Sequence, residues 1–337
     1  MRRVKTRVGI VGASGYSGMV LTRILCAHPE VELGFCTSDK WSGDPVGERV
    51  GARTSLSFVA NAQAVEASGA VDVVFLATSA EVSLDLAPRL RASGKKVIDL
   101  SGAFRLRDAS IYPRWYGFEH HATGHLASAH YGLPELFGPP TSDLVANPGC
   151  YPTATLLALA PLLRAGLIES SGLIVDAKSG VTGAGRQAKE AYSFVEVADD
   201  LRAYKLLAHQ HTPEIAQALA VPSLTFTAHL LPVRRGILAT CYARPRAPLA
   251  DLRACLAAAY EGSAFVRVVA PEAVTLAGVV GTNACHVGVA ADGDVAIVLA
   301  SIDNLVKGAA GQAVQNLNLL LGLPEALGLA DLPRSAP

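Results

Sequence analysis

Residues 8–27 carry the feature that most restricts how this chain can fold. Val8-Gly9-Ile10-Val11 is a short apolar strand, Gly12-Ala13-Ser14-Gly15-Tyr16-Ser17-Gly18 follows at once, and Met19 to Ala27 read as an apolar helix. Glycines spaced in this way let backbone approach a pyrophosphate, and the helix behind them offers N–H groups and the positive end of its dipole. A glycine triplet alone is a weak signal; the strand before it and the helix after it make it a nucleotide-binding turn. The expected cofactor contacts here are Gly12, Ser14, Gly15, Tyr16, Ser17 and Gly18.

The pattern continues as strand and helix in alternation. A second strand, Val31 to Cys36, ends in Thr37-Ser38-Asp39-Lys40. A carboxylate at this place normally holds the ribose 2′-OH of NAD. Hydroxyls come first here and Lys40 is close, which suits a 2′-phosphate, so NADP(H) is the expected cofactor, with Asp39 weighing against it. Thr37, Ser38 and Lys40 join the expected contacts. Val71 to Thr78 and Lys96 to Leu100 read as further buried strands, with a crossover helix from Glu81 to Ala92. Such alternation predicts a doubly wound parallel sheet with ligands at the carboxyl ends of its strands, where Ala77, Thr78, Ser101 and Arg105 fall.

At 337 residues the chain exceeds one ordinary core, so two domains are expected. Lys plus Arg and Asp plus Glu both count 29, which removes the basic excess that nucleic-acid binding needs. The basic start Met1 to Arg7 runs into a short, glycine-broken apolar stretch, which reads as a first strand and not as a signal peptide. Without a run of about 18 apolar residues, no membrane span is expected. The six cysteines are scattered with no Cys-x-x-Cys pair, which suits a reducing cytoplasm. His120, His121, His125 and His130 lack metal-ligand spacing and read as a solvated loop, so no metal is expected.

Asn147-Pro148-Gly149 is a turn, and Tyr151 to Leu163 is a strongly apolar helix candidate. Cys150 therefore stands at a helix N-terminus, a place that favours the nucleophilic thiolate. The same N–H groups suit an oxyanion on an attacked carbonyl. A thiolate needs a proton partner, and Ala208-His209-Gln210-His211-Thr212-Pro213-Glu214 supplies two. Thr212 looks like an N-cap with Pro213 at the first helical position. Both histidines would then precede the helix in an extended segment and face one pocket. His209 is favoured as acid/base, with His211 in support. Lys178-Ser179-Gly180-Val181-Thr182-Gly183-Ala184-Gly185-Arg186 reads as an anion-binding loop after a strand from Leu173 to Ala177. Pro232-Val233-Arg234-Arg235-Gly236 offers a second anion anchor.

In order along the chain, these motifs resemble the N-acetyl-γ-glutamyl-phosphate reductases, relatives of aspartate-semialdehyde dehydrogenase. The residues that carry the resemblance are Gly12 to Gly18, Asp99 to Ser101 with Phe104-Arg105, Asn147 to Thr153, Ser179 to Arg186, His209 to Ile215, Pro232 to Ile237 and Asp303 to Gln312. The resemblance implies a Rossmann-type NADP-binding domain, residues 1–149 completed by 304–337, and an inserted α+β catalytic and dimerisation domain, residues 150–303. It implies a soluble homo-oligomer, dimer or tetramer, acting on a small-molecule acyl phosphate in arginine biosynthesis, with Cys150 as nucleophile forming a thioester. Expected substrate contacts are Arg105, Asn147, Ser179, Gly180, Arg186 and Arg235; Gly180, Gly183 and Asn304 are further expected cofactor contacts. Alternatives are a reductase of carrier-bound aminoadipyl phosphate, which the Pro-Gly-Cys-Tyr-Pro form disfavours, and a nucleotide sensor that has lost the chemistry.

Overall fold

The computed structural model describes residues 5–187 and 190–330. These form two compact units: residues 5–148 with 309–330, and the described residues of 149–308.

The first unit contains β1 (Thr6–Val11), α1 (Tyr16–Ala27), β2 (Val31–Cys36), β3 (Val73–Leu76), α2 (Ala80–Ala92), β4 (Lys96–Asp99), β5 (His130–Tyr131) and β6 (Leu144–Ala146). They build a six-stranded sheet in the order β2-β1-β3-β4-β6-β5, parallel throughout. All four residues of β3 are buried, as expected for a strand covered on both faces. Leu76, Leu84, Leu90, Val97 and Leu144 pack into one core with Phe104 and Tyr112.

That core corrects the expectation of a solvated histidine loop. His120 is buried, bonds the Ala103 carbonyl at 2.9 Å and packs 4.6 Å from the Tyr112 ring. His125 stands in the short helix Thr123–Ser128 against Arg91, His121 pairs with Asp85, and His130 belongs to β5. The rings of Phe104 and Tyr112 shelter His120, something local spacing does not reveal. Among the described residues no His, Cys, Asp and Glu side chains group to hold a metal.

The second unit opens with α3 (Cys150–Arg164), followed by β7 (Ile174–Gly180), β8 (Arg202–Tyr204), α4 (His211–Leu219), β9 (Thr225–Leu231), β10 (Ile237–Ala243), α5 (Leu249–Ala259), β11 (Val266–Val268), β12 (Cys285–Asp292) and β13 (Val295–Ile302). Its seven-stranded mixed sheet runs β11-β12-β13-β10-β7-β9-β8. Helix α3 is apolar nearly all round, so it can only be a central helix; it packs on β10, β12 and β13 with α4 and α5 beside it. Pro161 lacks the N–H that would bond the Leu157 carbonyl. The buried Tyr260 hydroxyl takes that acceptor at 2.6 Å. Strands β7, β9 and β10 alternate: Val175, Ala177, Phe226, Ala228, Ala239 and Cys241 are buried. On the opposite face Asp176, Lys178, Thr227, His229, Thr240 and Tyr242 stay half-exposed.

Strand β7 continues through Gly180, so Lys178, Ser179 and Gly180 are strand residues and not the start of a loop. The ladder to β9 and β10 supplies their backbone partners, which outweighs the weak strand propensity of glycine. After β13 a π-helical turn, Val306–Ala310, leads into α6 (Gly311–Leu320). Helix α6 packs on α1 and β4 in the first unit. Asn316 ties it by bonds to the Gly132 carbonyl (2.8 Å) and Asn147 Oδ1 (3.0 Å). Among the described residues no helix is long and apolar enough to cross a membrane.

Candidate active site

The glycines of the first turn do three different things. Gly12 has φ 84°, and a Cβ there would meet the Ala77 carbonyl oxygen at 2.5 Å, so only glycine makes this turn. A Cβ on Gly18 would lie 2.5 Å from the Gly12 oxygen and 2.7 Å from Ala13 Cα, so its absence lets α1 close on the loop. Around Gly15 the nearest atom to such a Cβ is 3.8 Å away, which leaves the backbone accessible at the N-terminus of α1. Turn, access and packing in that order are what a dinucleotide diphosphate requires. Ser14 lies within the turn, and Tyr16 and Ser17 begin the helix.

At the carboxyl end of β2, Thr37 Oγ1 accepts from the Gly12 amide (3.1 Å) and donates to Asn61 Oδ1 (2.5 Å). Asn61, unremarked in the sequence, also donates its amide and side chain to both Asp39 oxygens at 2.8 Å. Asp39 is thus engaged laterally while Lys40 is exposed beside it. The Ser38 hydroxyl is buried and accepts from Trp41 N. Thr78, next to Ala77 beyond β3, bonds Ser83 at 2.8 Å. Ser101 donates its amide and hydroxyl to Asp99 at 3.0 and 2.8 Å, and burial pushes the Asp99 carboxyl above its usual range. The residues present fit the diphosphate of a nicotinamide dinucleotide at this edge.

Arg105, expected to bind substrate, is buried and donates to the Asn147 carbonyl (2.8 Å) and the Leu100 carbonyl (2.7 Å). Asn147 in turn donates to the Ala309 carbonyl at 3.1 Å. Both side chains brace the segment that leads into the thiol.

In the second unit, Gly149 caps α3 with extended backbone and Cys150 is the first helical residue. The thiol therefore stands at the positive end of a fifteen-residue helix, the setting that suits an anionic sulfur. The Gly149 amide donates to Glu214 Oε1 at 2.9 Å, and Glu214 is fully buried. The His211 ring lies on Gly149: a Cβ there would be 2.5 Å from His211 Nε2. His209 Nδ1 accepts the His211 amide at 3.1 Å, and the two rings are 4.8 Å apart. Burial first, and then the Lys205 charge, lower His209 to about 3, so it stays neutral. Tyr204, on edge strand β8, places its hydroxyl 3.1 Å from that of Tyr151 and its ring 5.6 Å from His209; burial raises Tyr204 to about 12.

The structure thus seats His211 on the residue before Cys150 with His209 beside it, but not as the sequence suggested. Thr212 is not the N-cap: α4 begins at His211, Gln210 is already helical in φ and ψ, and the histidines do not lie in an extended strand. Pro213 misleads because it is tolerated anywhere in a first turn, where no N–H is needed. Glu214 and Tyr204 were missed; Glu214 had a signal, three residues past His211 where an apolar helix face begins.

The remaining expected contacts divide. Ser179 is buried, and a Cβ on Gly180 would meet Arg235 N at 2.6 Å, so the backbones of β7 and the 232–236 turn touch there. Gly183 faces Ser179 Oγ. Asn304 accepts from Gly236 N (2.8 Å) and donates to Thr182 Oγ1 (3.0 Å). Arg235 Nη2 lies 3.1 Å from both oxygens of the buried Asp303. These two side chains are engaged inside the unit, whereas Arg186 is exposed.

Residues 7–142 match the family of semialdehyde dehydrogenase NAD binding domains, and residues 150–304 the semialdehyde dehydrogenase dimerisation domains. The N-acetyl-gamma-glutamyl-phosphate reductase of Geobacillus kaustophilus is 46% identical over 340 residues, covering 97% of this chain and 98% of its own. That of Desulfotalea psychrophila is 44% identical over 343 residues, covering 97% and 99%. Among solved structures, aspartate semialdehyde dehydrogenase II of Vibrio cholerae, complexed with ASA, superposes with a TM-score of 0.71 at 19% identity, covering 94% of this chain and 98% of that one. This likeness establishes the shared fold. Sequence identity along nearly its whole length places the chain in the N-acetyl-γ-glutamyl-phosphate reductase family.

Proposed function

We propose that the chain reduces N-acetyl-γ-glutamyl phosphate to N-acetylglutamate 5-semialdehyde and phosphate with NADPH, through a thioester on Cys150, in arginine biosynthesis. The observation that carries the reading is the thiol at the first position of α3 with the His211 ring seated on the preceding glycine. The curated relatives that span the chain bear the name of this reaction.

The Cys150 thiolate attacks the γ-acyl carbon, the C–S bond forms, and the C–O bond to phosphate breaks. The first-turn amides of α3 face the oxyanion; Pro152 has no N–H to add, so Cys150 and Tyr151 supply them. NADPH held at the Gly12–Gly18 turn would supply a hydride to the thioester carbon, leaving a thiohemiacetal on Cys150. Collapse of that adduct returns the sulfur as thiolate and releases the aldehyde. His211 takes the thiol proton, gives it to the oxyanion that hydride addition leaves, and takes it back from that hydroxyl as the adduct collapses. His209, held neutral and accepting the His211 amide, orients it. These roles reverse the assignment expected from sequence.

The open polar face of the second sheet, in a region that matches dimerisation domains, supports a homo-oligomer, dimer or tetramer. Exposed Lys40, with Asp39 drawn to Asn61, supports NADP over NAD. Six free thiols support a reducing cytoplasm. The test is NADPH oxidation with N-acetyl-γ-glutamyl phosphate: turnover is expected, and Cys150→Ala should abolish it. NADPH binding without turnover would refute the reading.

A further inference from the structure

Two glycines flank the nucleophile, and both lack space for any side chain. Gly308 lies in the π-helical turn Val306–Ala310 and donates its amide to the Asp303 carbonyl at 2.9 Å. A Cβ on Gly308 would lie 2.8 Å from Cys150 Cβ and 3.3 Å from Cys150 Cα. On the other side, a Cβ on Gly149 would lie 2.5 Å from His211 Nε2, 2.8 Å from Cε1 and 2.9 Å from Cδ2. Neither glycine needs the left-handed backbone region, since neither is among the positive-φ residues. Turn geometry therefore does not explain them; the close approach does.

The turn carrying Gly308 is itself held rigidly. Asp303 is fully buried; its Oδ1 accepts the Leu305 amide at 2.8 Å and the Val306 amide at 3.2 Å, and its Oδ2 accepts the Gly281 amide at 2.7 Å. Arg235 neutralises the carboxylate. A π-turn in a helix is rare and occurs often at functional sites. Here it brings a bare Cα against the Cα–Cβ bond of the thiol residue. The Gly149 side is fixed by Glu214, which holds the Gly149 amide from the same helix that carries His211.

We propose that Gly149 and Gly308 are positioning residues that set the spacing and direction of Cys150 and His211, one seating the imidazole and the other the thiol. The proposal rests on the thioester reading and deepens it. Carbon atoms pack at about 3.5–4.0 Å, so a methyl on Gly308 displaces Cys150 by roughly 0.7 Å or more. Displacements of about 1 Å at reacting groups cost on the order of 100-fold in rate.

The experiment compares Gly308→Ala and Gly149→Ala with the parent enzyme in thermal unfolding, NADPH affinity, kcat, and the pH profile of Cys150 alkylation followed by peptide mass spectrometry. Expected are folded proteins with NADPH affinity within about twofold and kcat lower by about 100-fold. The alkylation midpoint should move up by about half a pH unit or more as thiol and imidazole part. A variant with kcat within about threefold of the parent and an unchanged alkylation profile overturns the proposal. Loss of cooperative folding in both variants also overturns it, because the glycines would then serve packing alone. Cys150→Ala tests the thioester reading separately: if it is inactive while both glycine variants behave as the parent, only the positioning proposal fails.

Discussion

Arg235 offers a sharp test of how the second unit is built, because the sequence suggested a substrate anchor and the structure shows an ion pair. Asp303 is fully buried, three backbone amides donate to it, and Arg235 supplies the compensating charge at 3.1 Å to each oxygen. The Arg235 side chain is itself only 10% exposed, so solvent screens the pair weakly. Replacing it in Arg235→Met leaves a buried carboxylate with amides but no cation. Removing one partner of a buried pair costs about 3–5 kcal/mol, and the surviving amide bonds place the expected loss near the lower figure. For a unit of this size each kcal/mol moves Tm by about 2–4 °C, so about 3 kcal/mol lowers it by about 6–12 °C. Thermal unfolding by circular dichroism, paired with KM for the acyl phosphate, gives both readouts. A Tm within about 2 °C of the parent, with KM raised about tenfold, would show a substrate anchor and refute the ion-pair account.

Glu214→Ala strands the buried Gly149 amide and should cost about 1.5–3 kcal/mol and lower kcat, while Glu214→Gln, which keeps an acceptor, should lose less; unfolding and steady-state assays distinguish them. His209 has a folded pKa of about 3 against 6.5 unfolded, so the unfolded chain takes the proton first. Its contribution to stability is complete above pH 6.5 and is lost as pH falls toward about 3, with a slope of at most about 1.4 kcal/mol per pH unit. His209→Gln should flatten that part of the denaturation profile; an unchanged profile would refute burial as the cause. Lys40→Glu should raise the KM for NADPH about tenfold or more relative to NADH, measured by parallel oxidation assays.

Much of the first unit was legible because its signals are local. Gly12, Gly15 and Gly18 lie within one turn, and their three steric roles follow from the strand and helix that bracket them. Cys150 was legible for the same reason: Pro152 and the apolar run behind it announce a helix. What escaped was whatever depends on partners distant in sequence. Asp303 lies 68 residues from Arg235, and no local pattern near Pro232 to Gly236 shows that the arginine turns inward. His120 read as solvated because the rings of Phe104 and Tyr112 that enclose it are set by the fold. The start of α4 was misplaced because Thr212-Pro213 satisfies the usual cap pattern, while the structure begins the helix two residues earlier, at His211, whose ring lies on Gly149.

The central claim is that Cys150 carries the acyl group. Mixing enzyme with N-acetyl-γ-glutamyl phosphate in the absence of NADPH, then quenching in acid, isolates the first half of the reaction. The account predicts a burst of about one phosphate per chain and an N-acetylglutamyl adduct on the peptide containing Cys150, with neither in Cys150→Ala. Steady NADPH-dependent turnover by Cys150→Ala, or an adduct on any other residue, would contradict it.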